Sequence, residues 1–471
     1  MRFRRIVVLG AGPSGLAAAL VLARDGHHVT LIERDGMEPC RSDEAVRWDR
    51  KGIPHFLQPH AFIPRGRNEL REHLPDVHAS MLREGAYDLD LRTKLPGAPV
   101  PEDAELQYVR VRRPLIEWTL RDAAAATPQI EARPGVRAQG VRLREGAMAG
   151  VDVEGGWLEA DVVIDAMGRT SPMEDWLAAR GAVLGTREKS ECGVIYYSRY
   201  YRLRPGRSYP DGPWLVGPRG DLGYMGFMSF PGDNGTFAGG LAIPTGVPEL
   251  KVFRHEAAFE AAVARIPQLR MWADPDLVEP ITPVAPMGGL QNAILTLEPD
   301  APDGLFPLGD ALCHTDPVLA HGLSFALIHA AAIARALREH DSLREARADY
   351  LARVTPWLRE RYDFVAALDD QRLRMWRGEP VDFTRRDGAY ALFSFFAGAA
   401  TAMVDPDVFR VFVRRIGLLD STRVLDDDPV MQERIEALFR ELRAKPRPAA
   451  GPTREEMLEL TKAAVAGAAA R

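Results

Sequence analysis

The chain opens on an unbroken apolar run, Ile6 to Leu9, the pattern of a parallel strand covered on both faces. It then passes through a glycine-rich turn into an alanine- and leucine-rich stretch of helical period, in which Ala19 and Leu22 fall on the face toward the sheet. Gly26 closes that helix, Val29 to Ile32 forms a second strand, and Glu33 ends it. Between about Gly181 and Pro286 the period changes to two. VIYYSRYYRL, GYMGFMSF and TFAGGLAI read as strands separated by Pro-Gly and Gly-Asp-Asn-Gly turns. A later apolar strand ends at Gly309-Asp310, and a long helical pattern follows Pro317. After Ser342 come helices with charged outer faces and an apolar stripe for the body of the protein. The expected class is α/β. A three-layer, Rossmann-like domain of residues 1–180 and 287–341 is interrupted by a mostly antiparallel substrate domain, 181–286. A helical C-terminal region, 342–445, and a linker with a terminal helix, 446–471, complete the chain.

Charge and composition narrow the partners. Across 471 residues the formal charge is −6 and 27% of residues are charged, which gives no basic footprint for nucleic acid. A small molecule is the expected partner. Cys40, Cys192 and Cys313 lie far apart without Cys-x-x-Cys spacing, so neither a disulfide framework nor a zinc site is expected, and the cytoplasm fits. The basic residues before Ile6 resemble a signal peptide, but the apolar run is too short and leads into a strand and helix. The apolar stretch AYALFSFFAGAATAMV from Ala389 falls short of the roughly 20 residues of a membrane span and is expected to be a buried core helix, with shallow membrane contact as the alternative.

The turn Gly10-Ala11-Gly12-Pro13-Ser14-Gly15 has the G-x-G-x-x-G spacing. Its first glycine permits the turn, the second lets a phosphate approach closely, and the third lets helix pack on strand. The helix N-terminus adds N–H groups and partial positive charge, so a pyrophosphate belongs there. Glu33, with Arg34 beside it, stands where a carboxylate accepts hydrogen bonds from ribose hydroxyls, and it disfavours a 2′-phosphate.

That turn alone serves FAD or a nicotinamide nucleotide equally. The strand ending at Gly309-Asp310 favours FAD, because an aspartate there can accept from ribityl hydroxyls. The helix after Pro317, with Gly322 near its entry, can aim its N-terminus at the pyrimidine edge of the flavin.

With these segments in view, and with VRRPLIEWTLRDA and DVVIDAMGRTS between them, the sequence resembles the flavoprotein monooxygenases of the para-hydroxybenzoate hydroxylase type. The resemblance implies a three-layer FAD-binding domain, FAD contact by Arg113 and ribityl binding by Asp310. It also implies that Asp165, Gly168 and Arg169 form a strand and turn beside the cofactor. The chain departs from the pattern in having Asp316-Pro317-Val318-Leu319 before Gly322 where hydroxylases of this type have Pro-Pro-x-Gly. The spacing from Cys313 to Pro317 is closer to the halogenase branch, yet the region GYMGFMSFPGDNG from Gly223 lacks the Trp-x-Trp-x-Ile-Pro segment of those enzymes, which leaves halogenation a minor alternative. WDRKGIPHFLQPHAFIPRGRNELREHLP from Trp48 is similar to a subgroup in secondary metabolism that includes polyether epoxidases.

The substrate side is expected on the alternating sheet, where Tyr196, Tyr197, Tyr200, Tyr201, Tyr224, Phe227 and Phe230 are available to line an apolar pocket. Alternation turns about half of them away. His60, His314 and His321 are the acid–base candidates. His55 and His60 are wrongly spaced for a helical metal pair, no His-Glu-x-x-His occurs, and Ser14 lacks the flanking glycines of a nucleophile elbow. No catalytic side chain and no metal site is assigned. The leading expectation is transfer of one oxygen atom from a flavin C4a-hydroperoxide to a hydrophobic or aromatic substrate, as hydroxylation or epoxidation. NADPH or NADH would supply electrons, directly or through a flavin reductase. An FAD-dependent reductase or dehydrogenase acting without O2 incorporation is the second reading, and a flavin-binding partner protein the third.

Overall fold

The computed structural model describes residues 3–36, 40–53, 55–446 and 451–469. Its centre is a parallel sheet of five strands in the spatial order Leu305–Pro307, Val162–Asp165, Arg5–Leu9, His28–Glu33, Ile130–Pro134. Ile6, Val7, Val8 and Leu9 are all buried, and Val8 lies level with Ile164 on one side and Leu31 on the other. The Pro13–Arg24 helix is buried on almost every face, because it is wedged between the sheet and the Gly322–Glu339 helix. Its run of Ala17, Ala18 and Ala19 supplies the small side chains that so close an approach needs. The Leu305–Pro307 strand completes the sheet from far along the chain, with Pro307 beside Asp165.

The segment inserted between those two strands carries a second, antiparallel sheet. The ten-residue Val194–Leu203 strand pairs along its length with Thr236–Pro244, which in turn pairs with Gly226–Pro231. The three alternating segments of the sequence are thus adjacent strands. Their outer face packs Tyr201, Phe237, Phe253, Phe259 and Trp272 into a separate apolar core. The Glu256–Arg265 helix covers it, and the terminal Arg454–Ala469 helix packs on that helix with Met457 fully buried. The expected linker after Pro446 includes residues 447–450, which lie outside the described residues.

One expectation needs correction. No long helix follows Pro317 directly: Pro317–Leu319 forms a single 3-10 turn, Ala320 takes a left-handed conformation at φ 56°, and the helix starts only at Gly322. The apolar stretch after Ala389 forms a buried helix as expected, Tyr390–Leu392 continuing through a π turn at Phe393–Ala397 into Gly398–Ala402 with helical dihedrals at both junctions. Among the described residues no helix is long and apolar enough to cross a membrane. The 34-residue Leu343–Trp376 helix runs across the body and carries Pro356 within it.

Candidate functional site

A cavity of about 500 Å³ runs along the carboxyl ends of the parallel strands and reaches the inner face of the second sheet. Ligands of open α/β sheets bind outside those strand ends, where helix N-termini converge. The volume falls in the range of cofactor and substrate sites.

The three glycines of the turn have three separate reasons. Gly10 has φ +98°, and an added Cβ would lie 2.6 Å from the Ala166 carbonyl oxygen. A Cβ on Gly15 would lie 1.8 Å from the Gly10 carbonyl oxygen, so Gly15 permits the contact of helix and strand without reaching the cavity wall. Gly12 differs from both: its backbone, at φ −76° and ψ 178°, suits any residue, and an added Cβ would meet nothing nearer than Arg113 Nη2 at 3.9 Å. Space in the cavity is the only thing that glycine provides there. Pro13 and Ser14 complete the wall, and the first-turn N–H groups have no partner within their own helix.

Glu33 is buried and fixes the turn: its Oε2 accepts from Ala11 N at 2.9 Å and its Oε1 from Asp35 N at 2.9 Å. Arg50, absent from the sequence-based set, lies behind it and pairs with Glu33, Asp35 and Glu117 at 3.0–3.4 Å. Arg113 starts the Arg113–Ala125 helix and donates from Nε to Glu117 at 2.7 Å, which aims its other nitrogens toward Gly12 and His60. Arg34, Lys51 and Arg137 add positive charge at the Glu33 end of the cavity.

At the other end of the strand row, Asp165 ends its strand fully buried, accepting from Ser171 Oγ at 2.6 Å and Met167 N at 3.1 Å. Burial outweighs these bonds and raises its pKa to about 6. Gly168 and Arg169 follow on the wall. Gly309, at φ +58°, is off the wall: its N–H donates to His329 Nδ1 at 2.9 Å, and its role is to turn the chain so that Asp310 faces the cavity. Among the described residues nothing donates a hydrogen bond to the Asp310 carboxylate. His314, Pro317 and Gly322 also line this end, with His314 Nδ1 2.9 Å from the Asp310 carbonyl oxygen.

Tyr196, Ser198 and Met228 close the cavity from the second sheet. Tyr197 borders it, but it shares a sheet face with Leu241 and Phe227, so, contrary to the sequence reading, its side chain belongs to the opposite apolar core. Gln58 ties the wall together: Ser198 Oγ donates to its Oε1 at 2.6 Å, Tyr200 donates to its carbonyl oxygen at 3.1 Å, and its Nε2 donates to Ala285 O at 2.9 Å. His60 is neutral at ordinary pH, since burial and then the Arg113 charge lower its pKa to about 3. His55 is held well below the usual range by the same causes, and burial also lowers His314. His321 is lowered to about 3, by burial and then Arg361.

Behind Tyr196 lies a network that joins elements far apart in sequence. Tyr196 donates to Asp316 Oδ1 at 2.5 Å, and Arg372 Nη2 reaches Asp316 Oδ2 at 2.6 Å and Asp369 Oδ1 at 2.7 Å. Burial opposes both carboxylates, but Arg372 keeps Asp316 below the usual range. Burial, with the Asp316 charge beside it, holds Asp369 well above that range. One ionised and one protonated carboxyl therefore flank a single guanidinium.

Tyr224 and Phe227 do not line the cavity, contrary to the sequence reading. Met228 is the member of its strand on the wall, so alternation turns Phe227 into the opposite core. Tyr224 lies in the turn before that strand and donates to the Pro452 carbonyl oxygen at 3.0 Å. Of the missed wall residues, Arg50, Lys51 and Gln58 lie in the segment from Trp48. No spacing rule distinguishes them there.

Residues 8–74 match the family model of an NAD(P)-binding Rossmann-like domain. The Mycobacterium tuberculosis protein Rv3254 is 26% identical, over 90% of this chain and 92% of its own. The probable electron transfer flavoprotein-quinone oxidoreductase YdiS of Escherichia coli is 34% identical over 35% of this chain, which spans little more than a third of YdiS, 36%. Among solved structures, PqsL of Pseudomonas aeruginosa, a probable FAD-dependent monooxygenase, superposes with a TM-score of 0.59 at 17% identity, covering 80% of this chain and 99% of its own. The fold anticipated from the sequence is the fold of that structure.

Proposed function

We propose that this chain is an FAD-dependent monooxygenase that transfers one oxygen atom of O2 to a hydrophobic or aromatic small molecule, by hydroxylation or epoxidation, in secondary metabolism. The observation that carries the reading is the single cavity that joins the strand-end turn of Gly10 to Gly15 with the inner face of the tyrosine-bearing sheet. One molecule held along the strand ends would present its far end to a second molecule under that sheet.

The residues fit FAD. Gly12 leaves open the space a Cβ would fill, under the Arg113 guanidinium, so a pyrophosphate there meets both a helix N-terminus and a cation. Glu33 holds its turn through two short bonds and a longer one to Arg50. A carboxylate has about four acceptor positions, which leaves room for a ribose hydroxyl. Asp310, with a carboxylate that has no other donor among the described residues, would accept from the ribityl chain. Pro317 and the helix from Gly322 close the flavin end, and His314 packs beside them. Bound FAD supplies hydride acceptance from NADPH or NADH and activation of O2. The protein's own part is to orient substrate between Tyr196 and Met228 and to exclude water. We assign the nucleotide site to residues 1–180 with 287–341 and substrate cover to 181–286.

The balanced reaction is substrate, O2, NAD(P)H and a proton giving oxygenated substrate, water and NAD(P)+. It is tested by anaerobic addition of NADPH and then NADH to the flavin-loaded protein, followed by a flavin reductase with NADPH. Bleaching of the oxidised flavin bands is expected. Persistence of the bands through all three additions would refute the reading. A reductase or dehydrogenase acting on a hydrophobic substrate is the second reading, favoured by the similarity to YdiS over 35% of this chain. Turnover under ¹⁸O2 separates the two: one labelled atom in the product is expected, and unlabelled product that has lost or gained two hydrogens supports the alternative.

A further inference from the structure

The last strand of the parallel sheet hands Asp310 to the cavity through a turn that its own backbone does not fix. Leu308 N–H makes the final bond of the sheet, to the Asp165 carbonyl oxygen at 3.0 Å. The chain then leaves the sheet at Gly309, in the left-handed region at φ +58°. Glycine has the widest choice of backbone conformations of any residue, so a turn built on it keeps one shape only where outside partners hold it. Two side chains do so here, each from a different helix. Tyr350, on the Leu343–Trp376 helix, donates to the Pro307 carbonyl oxygen at 2.8 Å. His329, on the Gly322–Glu339 helix, accepts from Gly309 N–H through Nδ1 at 2.9 Å.

Neither side chain reaches the cavity, and both are fully buried. Their rings meet edge to face at 6.1 Å between centroids, Phe325 stacks on His329 at 6.0 Å, and Trp357 stands 6.0 Å away. In this aromatic box the bond from Gly309 N–H is the one hydrogen bond that the imidazole makes among the described residues, and its Nε2 has no partner. An accepting Nδ1 places the ring proton on Nε2. Burial lowers the pKa of His329 to about 3, so the imidazole stays neutral and keeps that tautomer. A polar atom left unpaired in the interior costs stability, and packing alone would be served as well by an apolar ring. The grip on Gly309, one residue before Asp310, is what the histidine adds.

We infer that His329 and Tyr350 are positioning residues of the cofactor site: they clamp the peptide units on either side of Leu308 and thereby aim the Asp310 carboxylate at the ribityl chain of FAD. The inference rests on the assignment of Asp310 to that chain. Asp310 lines the cavity, and its carboxylate takes no hydrogen bond from the described residues, so its direction is set by the backbone that carries it. Hydrogen bonds weaken steeply with distance and angle, so a small rotation at Gly309 is enough to lose the ribityl contact.

The test is a double-mutant cycle on FAD affinity, read by quenching of FAD fluorescence in titrations of the flavin-free full-length protein, with the melting temperature of each apoprotein recorded beside it. His329→Leu keeps the bulk without the acceptor and is expected to raise the FAD dissociation constant about tenfold or more. His329→Asn retains an acceptor near the place of Nδ1 and is expected to recover most of that loss. With Asp310→Ala already present, His329→Leu is expected to add less than about twofold, because residues that act through one contact are not additive. Tyr350→Phe keeps the ring, removes only the hydroxyl and is expected to show the same dependence on Asp310. It carries the cycle where His329→Leu fails to fold. Wild-type FAD affinity in His329→Leu, equal losses in His329→Leu and His329→Asn, or losses that multiply with that of Asp310→Ala would overturn the positioning role. Asp310→Ala with the FAD affinity of the wild type would instead overturn the assignment of Asp310 itself, and the positioning role with it.

Discussion

Gly12→Val separates what the second glycine does for the fold from what it does for a ligand. Its backbone is in an extended region open to valine, and the nearest obstacle to a Cβ is Arg113 Nη2 at 3.9 Å. The flavin-free protein should therefore keep its stability to within about 1 kcal/mol, the range of substitutions that clash with nothing. The valine methyls would occupy the space through which a pyrophosphate approaches the helix. Losing two charge-assisted hydrogen bonds, at about 1.5–3 kcal/mol each, costs about 3–6 kcal/mol, or a ~10²–10⁴-fold rise in the FAD dissociation constant. Gly15→Ala provides the contrast, since its Cβ would be driven to 1.8 Å from the Gly10 oxygen and strand and helix must part. It should destabilise the flavin-free protein by about 1–3 kcal/mol or more, as overpacking does. Thermal melting of both apoproteins, with titration of FAD by its fluorescence quenching, reads the two effects apart. A Gly12→Val protein purified with full flavin occupancy would refute the placement of the pyrophosphate. A Gly15→Ala apoprotein that melts with the wild type would refute the packing account.

Asp165, with its pKa raised to about 6, favours the folded state when protonated. Its contribution is whole below pH ~4 and is lost as pH rises through ~6. Asp165→Asn should thus gain stability relative to wild type by about 3 kcal/mol between pH 4 and pH 7, and parallel denaturation curves at the two pH values would refute this. Arg372→Met leaves Asp316 and Asp369 buried without their cation and should cost about 3–5 kcal/mol by chemical denaturation, with partial recovery in the double variant with Asp316→Asn. Phe227→Ala, made in the apolar core, should cost about 3–5 kcal/mol while leaving the rate of flavin reduction by NADPH or NADH unchanged. Tyr224→Phe removes the bond to Pro452 O, worth about 1 kcal/mol, and should speed amide exchange in the Arg454–Ala469 helix.

What could be read from the sequence was what depends on neighbours along the chain. The apolar run Ile6–Leu9, the glycine spacing and the alternation of VIYYSRYYRL report local backbone states, and the strand Val194–Leu203 has the bounds of that segment. Which face of a strand looks inward is set by what packs on it, so Phe227 and Met228 could not be told apart before the two sheets were seen together. Arg372 and Asp369 reach Asp316 across a helix crossing, and no periodicity records that. The late helix start at Gly322 follows from the left-handed Ala320, a conformation that residue type does not announce.

The parallel sheet is finished by its last strand, Leu305–Pro307, which pairs with Val162–Asp165 only after the whole antiparallel sheet has been made. At ~5–20 residues per second, the ribosome needs roughly 7–30 s to pass from Asp165 to Leu305. Throughout that interval the apolar edge of Val162–Asp165 lacks its partner, and the cavity has neither Asp310 nor the Gly322–Glu339 helix. The antiparallel sheet, all of whose strands precede Leu305, can close on the nascent chain first. FAD meets a finished site only once synthesis has passed Ala326, and until then the exposed edge is where chaperones, or another nascent chain, would attach.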